Sequence, residues 1–524
     1  MEPTPSQPGD FAADPRPIAG VPPMAVRVLL AVVIVLGLAG RVVWPGSTVF
    51  CDDQARAVAL AEDLSEGHWP SGGLVNSGKF RNLPGFVYLL APVWGLWPSP
   101  VALVLATGAV NVAAVLLAGW LMRRWVGSAP AWWATAFLAA GPWPIHYSRW
   151  IWAQHLLFPA ALLVYLFLKR WLEGKRWAPL GVALTLTLLV QIHLAGVVLG
   201  LAIFALLLLL ARPRTHVLPL AIGAVVAIAS VLPWLVGGHL ATPKESRTGY
   251  EHFWRVFPAA IMSVTGLGWQ LEFKEGYAQF ARTLGPRRWV YMGIFAVTAL
   301  LLAGGWVLGI RHLVRNRRRG RDGRRDALAM ATLLVALIPL GFIALGIRTS
   351  PTYLPMWYPL PFLLMGVAVA WLIGRVRRWS GRWVLRAGLL VLLAGQLAFF
   401  AEQLLYIRQR GGVPGSILGR SYRGMVADVE SLTSNVRARE VWMVYEGPSM
   451  IQQEAAAWVT RHARWSEGAD GRVVVHLRFW GKHDANAVRQ LAHDQSPPPG
   501  AFLVHPWPHR QQVGGLIPQT PPTP

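Results

Sequence analysis

Apolar runs too long for a soluble core constrain this chain most. "VLLAVVIVLGLAG" and "LGLAIFALLLLLA" are two of eleven such segments, at roughly 25–44, 100–121, 130–148, 151–168, 177–193, 195–211, 217–237, 289–310, 327–347, 354–373 and 386–405. A helix needs about 20 apolar residues to cross the roughly 30 Å hydrocarbon core, and helices satisfy their backbone groups without a partner strand. The pattern therefore predicts an all-α polytopic membrane protein. A membrane β-barrel would show shorter alternating segments. Only 14% of the 524 residues are charged, against about 25% in soluble proteins. The stretch 84–97, "PGFVYLLAPVWGLW", is apolar but too short to cross, so it is expected to lie in or re-enter the interface.

Charge gives an orientation. With the N-terminus inside, the loops 122–129, 169–176, 211–216, 311–326 and 374–386 face the cytoplasm. They hold 21 Lys and Arg against three acids, Glu173, Asp322 and Asp326, which accounts for most of the net charge of +24. Positive inner loops are a topology signal, and the run "RHLVRNRRRGRDGRR" is also placed to touch anionic lipid. A nucleic-acid partner is not expected from this distribution. The predicted location is the cell inner or plasma membrane, multi-pass, with a cytoplasmic N-terminus and an extracytoplasmic C-terminus. The polar, proline-rich residues 1–24 read as a disordered cytoplasmic tail. The same parity places 45–99, 238–288 and 406–524 outside, and makes 25–405 the membrane domain. From about 421, helical stretches alternate with "EVWMVYEG", "RVVVHLRFW" and "AFLVHPW", which suggests a small α/β domain with a loose end. No internal repeat of transporter type is visible. The single cysteine, Cys51, rules out an intrachain disulfide.

Chemistry concentrates on the outer side. "CDDQAR" follows the first span directly, and "AVALAEDLSEG" after it has the spacing of an amphipathic surface helix. Asp52 or Asp53 is expected to cap that helix. Capping needs one carboxylate; the other, at a bilayer-edge cavity, is suited to deprotonating an acceptor hydroxyl or amine. Arg149, at the end of the third segment, offers planar paired donors to a phosphate, or snorkels to headgroups. Lys79 and Arg81 in "GKFRNLPGF", Gln191 and His193 in "QIHLAG", and Arg348 and Tyr353 in "IRTSPTYLPMWYPLP" lie on the same side. Each alone is an ordinary interfacial anchor; together they put cations and carboxylates on one face. No HExxH, His/Cys spacing or Walker-type loop occurs, so neither a metal nor a nucleotide cofactor is expected.

These residues resemble a known family. "DQARAVALAEDLSEG", "LPGFVYLLAP", "HYSRWIWAQHLLFPAALLVYLFL" and "TSPTYLPMWYPLPFLL", in that order, are similar to motifs of the GT-C superfamily of polyprenyl-phosphate-sugar glycosyltransferases. The pattern is nearest glycosyltransferase family 39, which includes the protein O-mannosyltransferases and the lipid A aminoarabinose transferase. The likeness covers about residues 25–405. Gln54 stands where Glu is more usual, and "RNLPG" lacks the lysine-led double proline. The resemblance implies Asp53 as general base, with Asp52 as a possible second acid, and Arg149 at the donor phosphate. Lys79, Arg81 and Arg348 are further cations for it. Gln54, Gln191, His193 and Tyr353 would line the substrate. The implied partners are a polyprenyl-phosphate sugar and a lipid, glycan or protein acceptor in the membrane setting, with no cofactor. The reaction would be an inverting single displacement. The competing reading is a transporter or flippase for a lipid-linked or anionic solute, which would carry charged or broken helices at mid-membrane.

Overall fold

A computed structural model describes residues 21–75, 81–210, 217–237, 253–269, 273, 276–318, 326–347, 351–413 and 419–433, together with 440–446, 458–459, 474–480 and 502–504. Every one of the eleven apolar segments carries a helix. The membrane part comprises α1 (Met24–Ala39), α2 (Asp52–Ser65), α3 (Gly85–Leu96), α4 (Pro100–Val126), α5 (Ser128–Ala140), α6 (Pro142–Tyr147), α7 (Leu157–Leu172), α8 (Ala178–Ile192), α9 (Gly196–Leu209) and α10 (Val217–Val236). It continues through α11 (Phe253–Thr265), α12 (Gly276–Leu284), α13 (Arg287–Arg318), α14 (Ala327–Ala344), α15 (Pro359–Arg375) and α16 (Trp379–Arg410). Among the described residues, six helices are long and apolar enough to cross a membrane unaided, and six shorter apolar helices accompany them. α13 and α16 each have 32 residues, about 48 Å at 1.5 Å per residue, so both overrun the core.

Prolines explain where helices break. The third segment divides at Gly141, whose extended ψ of 123° ends α5, and Pro142 opens α6. The tenth segment starts with two tight turns, Pro351–Tyr353 and Pro355–Trp357, before Pro359 begins α15. Proline fixes φ and lacks an N–H, which suits a first helical turn, although Pro92, Pro233, Pro258 and Pro339 lie inside unbroken helices.

α5 forms the centre, packed against α1, α4 and α15. Its contacts are backbone-close. A Cβ on Gly37 would lie 2.2 Å from the Ala139 carbonyl oxygen, and one on Gly366 2.3 Å from that of Pro130. Membrane helices associate through such small residues because lipid supplies no hydrophobic drive between them. α10, by contrast, lies at the edge against α8 and leaves Leu218, Val225, Ile228 and Val236 exposed, a face suited to acyl chains.

Beyond α16, β1 (Gly412–Val413) pairs antiparallel with β2 (Gly419–Arg420), and α17 (Tyr422–Thr433) follows. Ser421 bridges Val49, and the Tyr422 N–H donates to the Thr48 carbonyl at 3.0 Å, which ties this region to the α1–α2 connection. β3 (Glu440–Glu446) is flanked by β4 (Val474–Trp480) and β5 (Phe502–Val504) in a parallel sheet. All three strands were legible as apolar runs.

Candidate active site

The α1–α2 connection is built to deliver two carboxylates. α1 ends at Gly40, and Trp44 then takes a left-handed conformation, φ 47°. For a bulky side chain this is unfavourable by about 1–2 kcal/mol and must be held from outside. Arg149 holds it. Its Nη1 donates to the Gly40 carbonyl at 2.6 Å and its Nη2 to the Trp44 carbonyl at 3.0 Å. The Thr48 hydroxyl in turn donates to the Arg149 carbonyl at 2.6 Å. Arg408 covers the Trp44 ring at 4.3 Å. A cation on the orphan carbonyls of a helix C-terminus is favoured by the helix dipole. Arg149, 3% exposed, is thus a brace for this connection.

α2 is opened by Cys51, not by an aspartate as expected. The Gln54 N–H reaches the Cys51 sulfur, and the Cys51 N–H donates to Gln54 Oε1 at 2.8 Å, closing a capping box. Serine or threonine with Glu or Gln three residues on is the usual form; here cysteine takes the serine place. Gln54 therefore serves the helix start. It is fully buried, and its Nε2 has no hydrogen-bond partner. With capping supplied by Cys51 and Gln54, Asp52 and Asp53 occupy the first turn, where the dipole favours anions. Asp52 is 6% exposed. The Asp53 side chain is 33% exposed and lies 3.9 Å from Arg56. Burial, and then the Asp53 and Asp52 charges, push the Cys51 thiol up to about 12.

A second group forms where α3, α8 and the Pro351–Tyr353 turn meet. Residues 73–75 and 81–82 pair in a fold-back: the Gly73 N–H donates to the Asn82 carbonyl at 2.7 Å, the Asn82 N–H to the Leu74 carbonyl at 2.8 Å, and Val75 bridges Arg81. Lys79 and Arg348 lie outside the described residues. The Arg81 side chain is exposed, and its carbonyl accepts from the Trp234 indole at 3.0 Å. The Asn82 amide donates to the Leu74 carbonyl and its oxygen accepts from the Leu194 N–H. Asn82, absent from the sequence expectations, thereby joins this fold-back to the α8–α9 turn. Gln191 donates to the Ser230 carbonyl at 2.8 Å, linking α8 to α10. His193 Nδ1 accepts from the Ala195 N–H at 3.0 Å, which leaves the proton on Nε2. That Nε2 is buried with no partner, and the ring lies 5.4 Å from that of Tyr353. His193 and Tyr353 thus meet, with Asn82 tied to the adjoining turn, while Gln191 turns to α10 and only the carbonyl of Arg81 is engaged, by Trp234.

The two groups share a wall. α4 touches both the Pro45–Ser47 turn and the Ala153–Leu156 turn, and the latter touches the Pro351–Tyr353 turn. Asn111 on α4 donates to the His155 carbonyl at 3.2 Å. Between them runs the aromatic stretch after Gly141. Trp269 is 2% exposed and stacked on Trp143 at 4.1 Å. It is core.

The chain shares the fold of its helical membrane bundle with solved structures. Among solved structures, it is similar to ArnT from Cupriavidus metallidurans bound to undecaprenyl phosphate, with TM-score 0.51 and 14% identity over 89% of this chain and 91% of that one. The same protein in the apo state gives TM-score 0.50 and 14% identity over 89% and 88%. The likeness is one of fold. No protein-family model matches the chain, and no curated protein matches it in sequence.

Proposed function

We propose that the protein is an integral-membrane glycosyltransferase that moves a sugar from a polyprenyl-phosphate donor to an extracytoplasmic acceptor. The observation that carries this is the first turn of α2. Two carboxylates stand there while Cys51 and Gln54 do the capping, in the fold of a protein solved with undecaprenyl phosphate. In this reading the α2 end of the bundle faces away from the cytoplasm.

The Asp53 carboxylate accepts the proton of the acceptor hydroxyl. The hydroxyl oxygen forms a bond to the anomeric carbon from the face opposite the phosphate. The bond from that carbon to the phosphate oxygen breaks, and its electron pair leaves with the polyprenyl phosphate. Configuration at the anomeric carbon inverts. Cations stabilise the leaving phosphate as charge builds on it. Arg81, Lys79 and Arg348 are proposed for that task, and Arg149 contributes by holding the connection that presents Asp53. Gln191, His193 and Tyr353 are proposed to line the substrate cavity, with His193 Nε2–H as the donor still lacking an acceptor. The buried Asp52 supports Asp53 as a second acid.

The test supplies the purified protein with labelled polyprenyl-phosphate sugars and a membrane extract as acceptor. Transfer of label with inversion is expected. Binding or translocation of the lipid without transfer, for every donor, would replace the enzyme by a carrier.

A further inference from the structure

The end of the bundle remote from Asp52 and Asp53 carries donors that the reaction does not use. α16 begins there at Trp379. Its first turn holds no acid, and Arg378 at the N-cap makes no side-chain capping bond. Such a terminus presents unsatisfied N–H groups and partial positive charge. Arg382, Trp383 and Arg386 add to it. Arg386 is 9% exposed. Its guanidinium lies over the Trp383 ring, 5.5 Å from the centroid, and makes no hydrogen bond or ion pair among the described residues. The Trp383 indole N–H is buried and lacks an acceptor. Arg382, one turn before Arg386 on the same face, spends only its Nε, on the Val376 carbonyl at 2.7 Å.

A largely covered arginine side chain with no counter-charge among the described residues is unfavourable. The described acids among the basic loops at this end are already engaged. Glu173 pairs with Lys169, while Asp326 pairs with His312 and caps α14. Helical side chains lean toward their own N-terminus, so the arginines and the indole are directed to the uncapped start of α16. We propose that this corner binds a phosphate group, carried by an anionic phospholipid headgroup or free in solution. Arg386 and the Trp383 indole are its buried donors; Arg382 and the first-turn N–H groups are its outer ones. Trp379 packs edge-on to Trp383 at 5.9 Å and is 74% exposed, as an indole at headgroup depth would be. The corner is about 33 Å along α16 from Arg408 at 1.5 Å per residue, hence distinct from the α2 site.

The full chain, purified in neutral detergent, is titrated with phosphatidylglycerol, phosphatidylcholine and inorganic phosphate, and binding is read by native mass spectrometry. Wild type is expected to hold phosphatidylglycerol about tenfold more tightly than phosphatidylcholine, the worth of one charge-assisted contact. Arg386→Gln abolishes that preference. Trp383→Phe, which keeps the packing and removes only the N–H, reduces it. Competition by millimolar inorganic phosphate means the free anion suffices; phosphatidylglycerol binding without such competition assigns the lipid. Equal binding of both lipids to wild type, or an unchanged preference in both variants, overturns the site. Sugar transfer is not the readout, so this outcome is independent of the glycosyltransferase reading.

Discussion

Asp53→Asn separates the proposed catalysis from architecture because the two roles carry very different magnitudes. The Asp53 side chain is 33% exposed and its Arg56 partner 41% exposed, at 3.9 Å. An ion pair in that setting is worth about 0–1 kcal/mol, and a first-turn carboxylate gains about 0.3–1 kcal/mol from the helix dipole. The amide therefore destabilises the fold by about 1 kcal/mol. Loss of a general base slows transfer about 10²- to 10⁴-fold, which is about 2.7–5.4 kcal/mol of barrier at 1.36 kcal/mol per tenfold. The assay measures single-turnover sugar transfer beside thermal unfolding, for Asp53→Asn and Asp52→Asn in parallel. The larger kinetic loss is expected at Asp53, with a melting temperature close to wild type. Full transfer by Asp53→Asn would remove it as the base. An activity loss that only tracks the fraction unfolded would refute the reasoning equally.

Arg149→Met leaves the Gly40 and Trp44 carbonyls without their guanidinium donors. It is expected to cost about 2–6 kcal/mol of stability at about 1–3 kcal/mol per abandoned buried group. Unchanged unfolding with lost donor binding would instead make Arg149 a phosphate ligand and not a brace. Cys51, buried with its thiol pushed up to about 12, is expected to resist maleimide at pH 8 in the folded protein and to react after denaturation. Its linkage runs with the raised value. The contribution is complete below the unfolded thiol's range near 8.5 and is lost as pH rises toward the folded value. A Cys51→Ser variant should lack that alkaline loss of stability. Prompt alkylation of the native chain at pH 8 would contradict the buried cap.

The bundle was legible because lipid leaves so few options. Apolar length near twenty residues dictates helices, and all eleven segments carry one. The amphipathic helix after "CDD" was readable from period and the three strands from their apolar runs, though not their parallel pairing. The N-cap was not. "CDDQ" contains a capping box, but cysteine in the serine place conceals it, and the aspartates look like the better caps. Asn82 was invisible for a different reason: its partners, Leu74 and Leu194, are backbone groups, and backbone leaves no trace in sequence. Arg149 read as a phosphate ligand because a guanidinium at a bundle mouth has one obvious anionic partner. Only the fold reveals the two carbonyls, over a hundred residues away, that it holds.

Sequence alone determined the helices and their apolar faces, since hydropathy and local propensity act through near neighbours in the chain. Tertiary structure decided which polar groups brace the backbone, which cap it and which remain for chemistry. Hydrogen-bond partners are assigned by proximity in space, and packing alone brings Gly40, Trp44 and Arg149 within reach of one another.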